Sequence, residues 1–148
     1  MLKLNVKMTG LDKGQKMTKD KAKRILMLCM MKMEEIAIKN APVDKGFLRL
    51  NISLFPQILS YSYILTSNAD YSADLEYGNT PKNVNLGDIL AWVERKGIAS
   101  GDGAENVAWY VAKKIREEGV NAHPFMRPAL MQVINFWYDF YSKQVFFK

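Results

Sequence analysis

The sequence predicts an α+β fold: a mostly antiparallel β-sheet packed by a long N-terminal helix and a C-terminal helix, with two extra helices inserted. Three observations predict it. Apolar residues alternate with polar ones at the N-terminus and again around residues 51–66, the period of strands with one packed side. Helical spacing of apolar residues runs through residues 18–40 and again from 128 to the end. Two shorter helical patterns with cap and stop residues lie between 85 and 119. The length, 148 residues, suits one domain spanning 1–148.

The elements follow in order. Leu2, Leu4, Val6 and Met8 alternate with Lys3, Asn5 and Lys7, predicting a strand that Gly10–Gly14 breaks. A helix is predicted from about Thr18 to Asn40, with Ala22, Ile25, Leu26, Cys29, Met33 and Ile36 as its stripe. Met27, Met31 and Ile38 lie off that stripe, so the helix is apolar on a second side. Pro42 ends it, because the residue before a proline is pushed out of the α region. Asn51–Phe55 reads as a strand, Pro56-Gln57 as a turn, and Ile58–Thr66 as the partner strand. Residues 71–77 form a short element of unassigned type. Asn85 followed by Asp88 is a helix start, running through Leu90 and Val93 to Gly97. After a loop at Ala99–Gly103, a helix from about Ala104 to Glu118 should turn Val107, Tyr110, Val111 and Ile115 inward and stop at Gly119. The last helix starts near Pro128. Leu130, Val133, Ile134, Trp137 and Tyr141 form its central stripe, flanked by Phe136, Phe140 and Phe147 on one side and Met131 and Tyr138 on the other. Only Gln132, Asn135, Asp139, Ser142 and Lys143 form a polar face. One sheet cannot cover so much apolar surface, and a partner subunit is the expected cover.

Composition narrows the function. Hydrophobic residues make up 49% and charged residues 24%, ordinary for a folded chain and unlike a disordered one. A single cysteine, Cys29, excludes an internal disulfide, and one cysteine with one histidine is too few for a single-chain zinc site. No apolar run is long enough to span a bilayer, and residues 1–10 lack the apolar core of a signal peptide. These features predict a soluble intracellular protein with no membrane partner. Residues 1–50 hold 12 Lys/Arg against 5 Asp/Glu, while the remainder holds 9 against 10. A basic half on a neutral body fits an anionic neighbour, nucleic acid or an acidic protein face, or else a solvated helix face.

Little points to catalysis. His123 has no adjacent nucleophile, and no nucleophile elbow or phosphate-binding glycine loop occurs. Asp70, Asp74 and Glu76, with the Glu94-Arg95-Lys96 run, could suit a metal-dependent nuclease, but Glu94 and Lys96 lie two apart in a predicted helix and diverge. The chain is expected to be no enzyme, with no catalytic, metal or cofactor-binding residue. Aromatic and basic residues occupy different segments, which disfavours a stacking platform for RNA.

Three segments resemble a known family in the right order. Ala41-Pro42-Val43-Asp44-Lys45-Gly46-Phe47-Leu48-Arg49-Leu50-Asn51-Ile52, Tyr71-Ser72-Ala73-Asp74-Leu75-Glu76-Tyr77-Gly78-Asn79-Thr80 and His123-Pro124-Phe125-Met126-Arg127-Pro128-Ala129-Leu130 are similar to signatures of the phage neck and tail-completion proteins (head–tail joining, minor tail protein Z-like). Lys45 stands where that signature has threonine. Asn79 is inserted between Gly78 and Thr80, which predicts a differently shaped loop.

The resemblance implies a structural virion protein of a long-tailed double-stranded DNA phage, made in the host cytoplasm and placed in the neck. It would form a homo-oligomeric ring, six- or twelve-fold with six favoured, around the DNA channel. Its neighbours would be head-completion or connector proteins and tail-terminator or tail-tube proteins, with non-specific contact to packaged DNA. Expected subunit-interface residues are Arg49, Tyr71, Glu76, Tyr77, Phe125, Arg127, Phe136, Phe140 and Phe147. Asp44 and Gly46 are expected to make a turn. Arg49 and Glu76 are the only charges in otherwise apolar surroundings and are expected to pair, within or between subunits. Lys21, Lys32 and Lys39, on one side of the first helix, are expected to face DNA phosphates or an acidic partner ring. The competing class is a small basic nucleic-acid-binding regulator.

Overall fold

A computed structural model describes residues 1–7, 19–57 and 62–146. The fold is α+β, with a three-stranded antiparallel sheet and a long helix near each end of the chain. The expected strand residue Met8, the Gly10–Gly14 break, Thr18, the turn partners Ile58–Tyr61 and Phe147 lie outside the described residues. By contacts the chain divides into two compact units, Met1–Glu76 with Pro124–Lys148, and Tyr77–His123. The inserted helices, expected to belong to a single 1–148 domain, thus build a small core of their own.

In the first unit the strands β1 (Leu2–Lys7), β2 (Ile52–Gln57) and β3 (Ser62–Ser67) lie in the order β1-β3-β2. Leu4 and Leu54 both sit opposite Leu65, and Leu2 and Ile52 both sit opposite Ser67. One sheet face is therefore apolar, and the reverse face carries Lys3, Asn5, Lys7, Ser53 and Gln57, all outside the core. Pro56 and Gln57, expected in a turn, belong to β2. An edge strand tolerates proline because its outward N–H is not needed by the ladder. Glu34 Oε1 accepts the Leu54 N–H at 3.0 Å, so one backbone donor of the β2 edge is satisfied by a helix side chain.

Helix α1 (Lys19–Asn40) packs against β2 and β3 and along the C-terminal helix. Its buried set, Ala22, Ile25, Leu26, Cys29, Met30, Met33, Ile36 and Ala37, contains the expected stripe and is wider, because two layers lie against it. Met27 and Met31 remain exposed. Burial raises the Cys29 thiol to about 11, which keeps it protonated and chemically quiet. A four-residue helix, α2 (Phe47–Leu50), precedes β2 where a turn leading straight into a strand is expected; Gly46 before it lies in the left-handed region. Residues 71–77 resolve into α3 (Ser72–Tyr77).

The C-terminal helix starts at Met126 rather than Pro128, as α6 (Met126–Gln132). It passes through one π-helical stretch (Val133–Trp137) and continues as α7 (Tyr138–Phe146). A π-turn interrupts simple 3.6-residue periodicity. Ile134, expected in the central stripe, is exposed, while Val133 is buried and Trp137 and Tyr141 pack on the core.

In the second unit α4 (Leu86–Arg95) and α5 (Asp102–Glu118) pair. Asn85 accepts the Gly87 N–H at 2.8 Å, capping α4. The buried ridge of α5 is Ala104, Ala108 and Ala112, spaced four residues apart and small enough to let α4 and Val93 approach. Tyr110, expected to face inward, is exposed, while Val107, Val111 and Ile115 are half-buried. A β-bridge between Asn79 and Val120 closes the base of this unit. The inserted Asn79 supplies it twice, since Val120 N–H also meets Asn79 Oδ1 at 2.9 Å. Gly78 and Gly119 flank the bridge with φ of 75° and 81°. A Cβ on Gly78 would lie 2.8 Å from the Val120 carbonyl oxygen, and one on Gly119 would collide with the Asn79 carbonyl oxygen. Gly119→Ala is expected to cost about 1–3 kcal/mol through positive φ and this clash. Amide exchange should show protection lost across residues 77–123 and retained in α1.

Candidate functional site

Two of the three segments of the family resemblance are joined by Glu76. Glu76 lies in the last turn of α3 with its side chain 1% exposed. Its Oε2 accepts the backbone N–H groups of Phe125 at 2.8 Å and Met126 at 2.9 Å. Its Oε1 accepts the Arg127 N–H at 2.8 Å and the Arg127 Nε–H at 3.2 Å. Arg127 Nη2 returns to the Glu76 carbonyl oxygen at 2.7 Å. The first four N–H positions of an α-helix have no partner within it. Here those positions are Phe125, Met126, Arg127 and Pro128. Glu76 takes three, and Pro128 has no N–H to satisfy. The negative charge also sits at the positive end of the helix dipole.

Arg49 does the complementary task elsewhere. Its Nε donates to the Ala41 carbonyl at 3.0 Å and its Nη2 to the Lys39 carbonyl at 3.2 Å. This places a cation on the unsatisfied carbonyls at the C-terminal end of α1. The expected Arg49–Glu76 pair is therefore corrected. Each charge ends a different helix, and Glu76 pairs with Arg127 instead.

Tyr71 connects the first two segments. Its ring centroid lies 6.5 Å from that of Phe47. Burial, and then the negative charge of Asp44, hold its phenol above the ordinary value, while a backbone hydrogen bond with Leu48 pulls the other way.

Of the expected interface residues, Glu76 and Phe125 are enclosed completely by their own chain, and a role for these two in contacting a neighbour is withdrawn. In this chain they are a buried acceptor and the buried ring beside it. Arg127 is tied to Glu76 but half exposed, Arg49 is half-buried, and Tyr71, Tyr77, Phe136 and Phe140 are exposed. Phe136 is 69% exposed. Phe140 leans on Trp137, centroids 5.5 Å apart, in a cluster completed by Tyr141. Beside this cluster the helix also exposes Met131, Ile134 and Tyr138. Ile134 and Tyr138 border an apolar hollow of about 360 Å³ floored by Leu26, Met30 and Met33.

The three lysines do not behave alike. Lys32 Nζ lies 4.5 Å over the Trp137 ring and 2.8 Å from Glu35, with its side chain only 20% exposed. It is spent within the chain, so its assignment to DNA or an acidic partner is corrected. Lys39 is exposed and Lys21 half-buried.

Among the described residues no group of three or more His, Cys, Asp or Glu side chains could hold a metal ion, and no helix is long and apolar enough to cross a membrane. No protein-family model, curated protein or solved structure matches the chain.

Sequence reasoning missed the internal role of Glu76. The signal was present: an acid in one segment and an N–H-poor helix start, Phe-Met-Arg-Pro, in another. Glu76→Ala strands three N–H donors and Arg127, and should lower stability by about 3–5 kcal/mol in urea titration. Glu76→Gln keeps one acceptor and should lose about half as much, since hydrogen bonds to a neutral group are roughly half as strong. Exchange of the Phe125–Arg127 amides should accelerate in both variants.

Proposed function

We propose that this protein is a structural component of a tailed double-stranded DNA phage, assembling as a ring, six-fold in our reading, in the neck where the head connector meets the tail. The reading rests on the two flanks of the C-terminal helix. Phe136 and Phe140 on one flank, and Met131, Ile134 and Tyr138 toward the other, stand exposed on one helix of a 148-residue chain, and subunit contact is what removes such apolar surface from water. The family resemblance supplies the kind of assembly. The second and third of its segments are joined by the buried ties that set where this helix begins, while the first closes the end of α1.

The role is mechanical. Cyclic repetition gives each copy a neighbour for its apolar helix and for the sheet edge at β1. A channel that DNA must traverse calls for contacts blind to sequence, which phosphate electrostatics supply. Lys39, exposed, and Lys21, half-buried, on the same side of α1, are the residues proposed to face the phosphates or an acidic neighbouring ring.

Electron microscopy of the purified protein and of virion vertices tests the proposal. A ring in the neck is the expected image, and a solitary copy elsewhere on the particle overturns it. Phe136→Ser should leave the melting temperature within the roughly 0.5 kcal/mol scatter of surface changes while abolishing ring formation. Duplex DNA should bind at low salt and be released as salt rises. Absence of binding at low salt removes the channel-lining role and leaves the ring.

A further inference from the structure

Helix α5 carries a strip of charges that complements itself. At about 100° per residue, Asp102, Glu105, Trp109, Lys113 and Arg116 fall within roughly 80° of one another. All five are exposed, on a strip centred about 100° round the helix from the buried alanine ridge. Both acids precede Trp109 and both bases follow it. Glu105 and Lys113 lie four residues either side of Trp109, and Asp102 and Arg116 lie seven residues either side. The pattern is a mirror about the tryptophan with the sign of charge reversed.

That arrangement selects among occupants. Laid antiparallel, a second α5 sets each acid against a base and each base against an acid, with tryptophan meeting tryptophan in the middle. Laid parallel, it sets like charges together. A nucleic acid would meet Asp102 and Glu105 along with the cations, on a strip whose formal charges cancel. Beside Trp109 lies a hollow of about 360 Å³ bordered by Leu86, Ala112, Lys113, Arg116 and Glu117, a seat for the facing indole. Lys113 Nζ already lies 5.4 Å from the Trp109 ring centroid, so the ring is edged by a cation on the side where the other copy's Glu105 would arrive.

We propose that α5 is a self-association surface on which two copies of this chain meet about a two-fold axis through Trp109, flanked by four acid–base contacts. A contact of this kind is isologous and closes at two copies. It uses a different helix from the proposed ring contact, and neither depends on the other.

Sedimentation of the full chain over a range of concentration and salt tests it. Asp102→Lys with Glu105→Lys makes the strip wholly basic, and Lys113→Glu with Arg116→Glu makes it wholly acidic. Each double variant alone should dimerise at least about tenfold more weakly, a loss of one decade in the dissociation constant. An equimolar mixture should recover wild-type affinity as a heterodimer, because every facing pair is then of opposite sign. Trp109→Cys should cross-link to itself on oxidation, and Glu94→Cys should not. A wild-type chain that never associates, association that neither double variant weakens, or a mixture as weak as its components overturns the proposal. Should lysines in the first turn unfold α5, the Trp109→Cys cross-link decides: dimer supports the contact and its absence overturns it.

Discussion

A helix that begins in a protein interior has to dispose of its leading N–H groups, since each donor left buried without a partner costs about as much as the whole net gain from a hydrogen bond or more. This chain meets that constraint with one carboxylate. Glu76 accepts from Phe125, Met126 and Arg127, and the next residue, Pro128, has no donor. Residues 49 to 51 positions apart are thereby locked together. The chain leaves the first unit at Glu76 and re-enters it at Pro124, so the same carboxylate also ties the two ends of the inserted unit to one point. A buried charge is tolerable here because every lone-pair direction finds a donor and Arg127 balances the sign.

Other parts of the first unit follow from that anchor. With Phe125 and Met126 pinned in the core, α6 runs along α1, and the π-turn that follows brings Val133 and Trp137 onto the same core while leaving Ile134 outside. Arg49 closes the far end of α1 by the opposite electrostatics, a cation on carbonyl oxygens. Two charges that read as partners in the sequence are thus two helix terminators, one for each sign of the helix dipole. The apolar residues of the C-terminal helix that remain exposed lie on both flanks of its buried stripe, and these are the surfaces the ring proposal uses.

The inserted unit obeys a different economy. Its helices meet through alanines rather than large side chains, and its base is a two-residue bridge that only glycine can flank on either side. A core so small leaves the bulky residues of α5, Trp109 and Tyr110, on the outside. Exposure there is a consequence of the narrow packing ridge, and it is what makes α5 available as a surface.

The sequence by itself determined the fold class, the periods of β1, α1 and the C-terminal helix, the Asn85 cap and the glycine stops, because each of these depends on residues close together in the chain. Local rules also placed Ala22, Ile25, Leu26, Cys29, Met33 and Ile36 on the buried stripe. What only the tertiary structure decided depends on distant residues. Glu76 reads as a partner for Arg49 until a helix start some fifty residues later is laid against it. Phe125 reads as an anchor into either the core or a neighbour until the interior that encloses it is assembled, and Lys32 as a cation facing outward until Trp137 lies beneath it. Tyr110 and Ile134 were misplaced for a related reason: periodicity tells which residues share a helix face, but the width of the facing ridge and an interruption of the helix decide which face is buried.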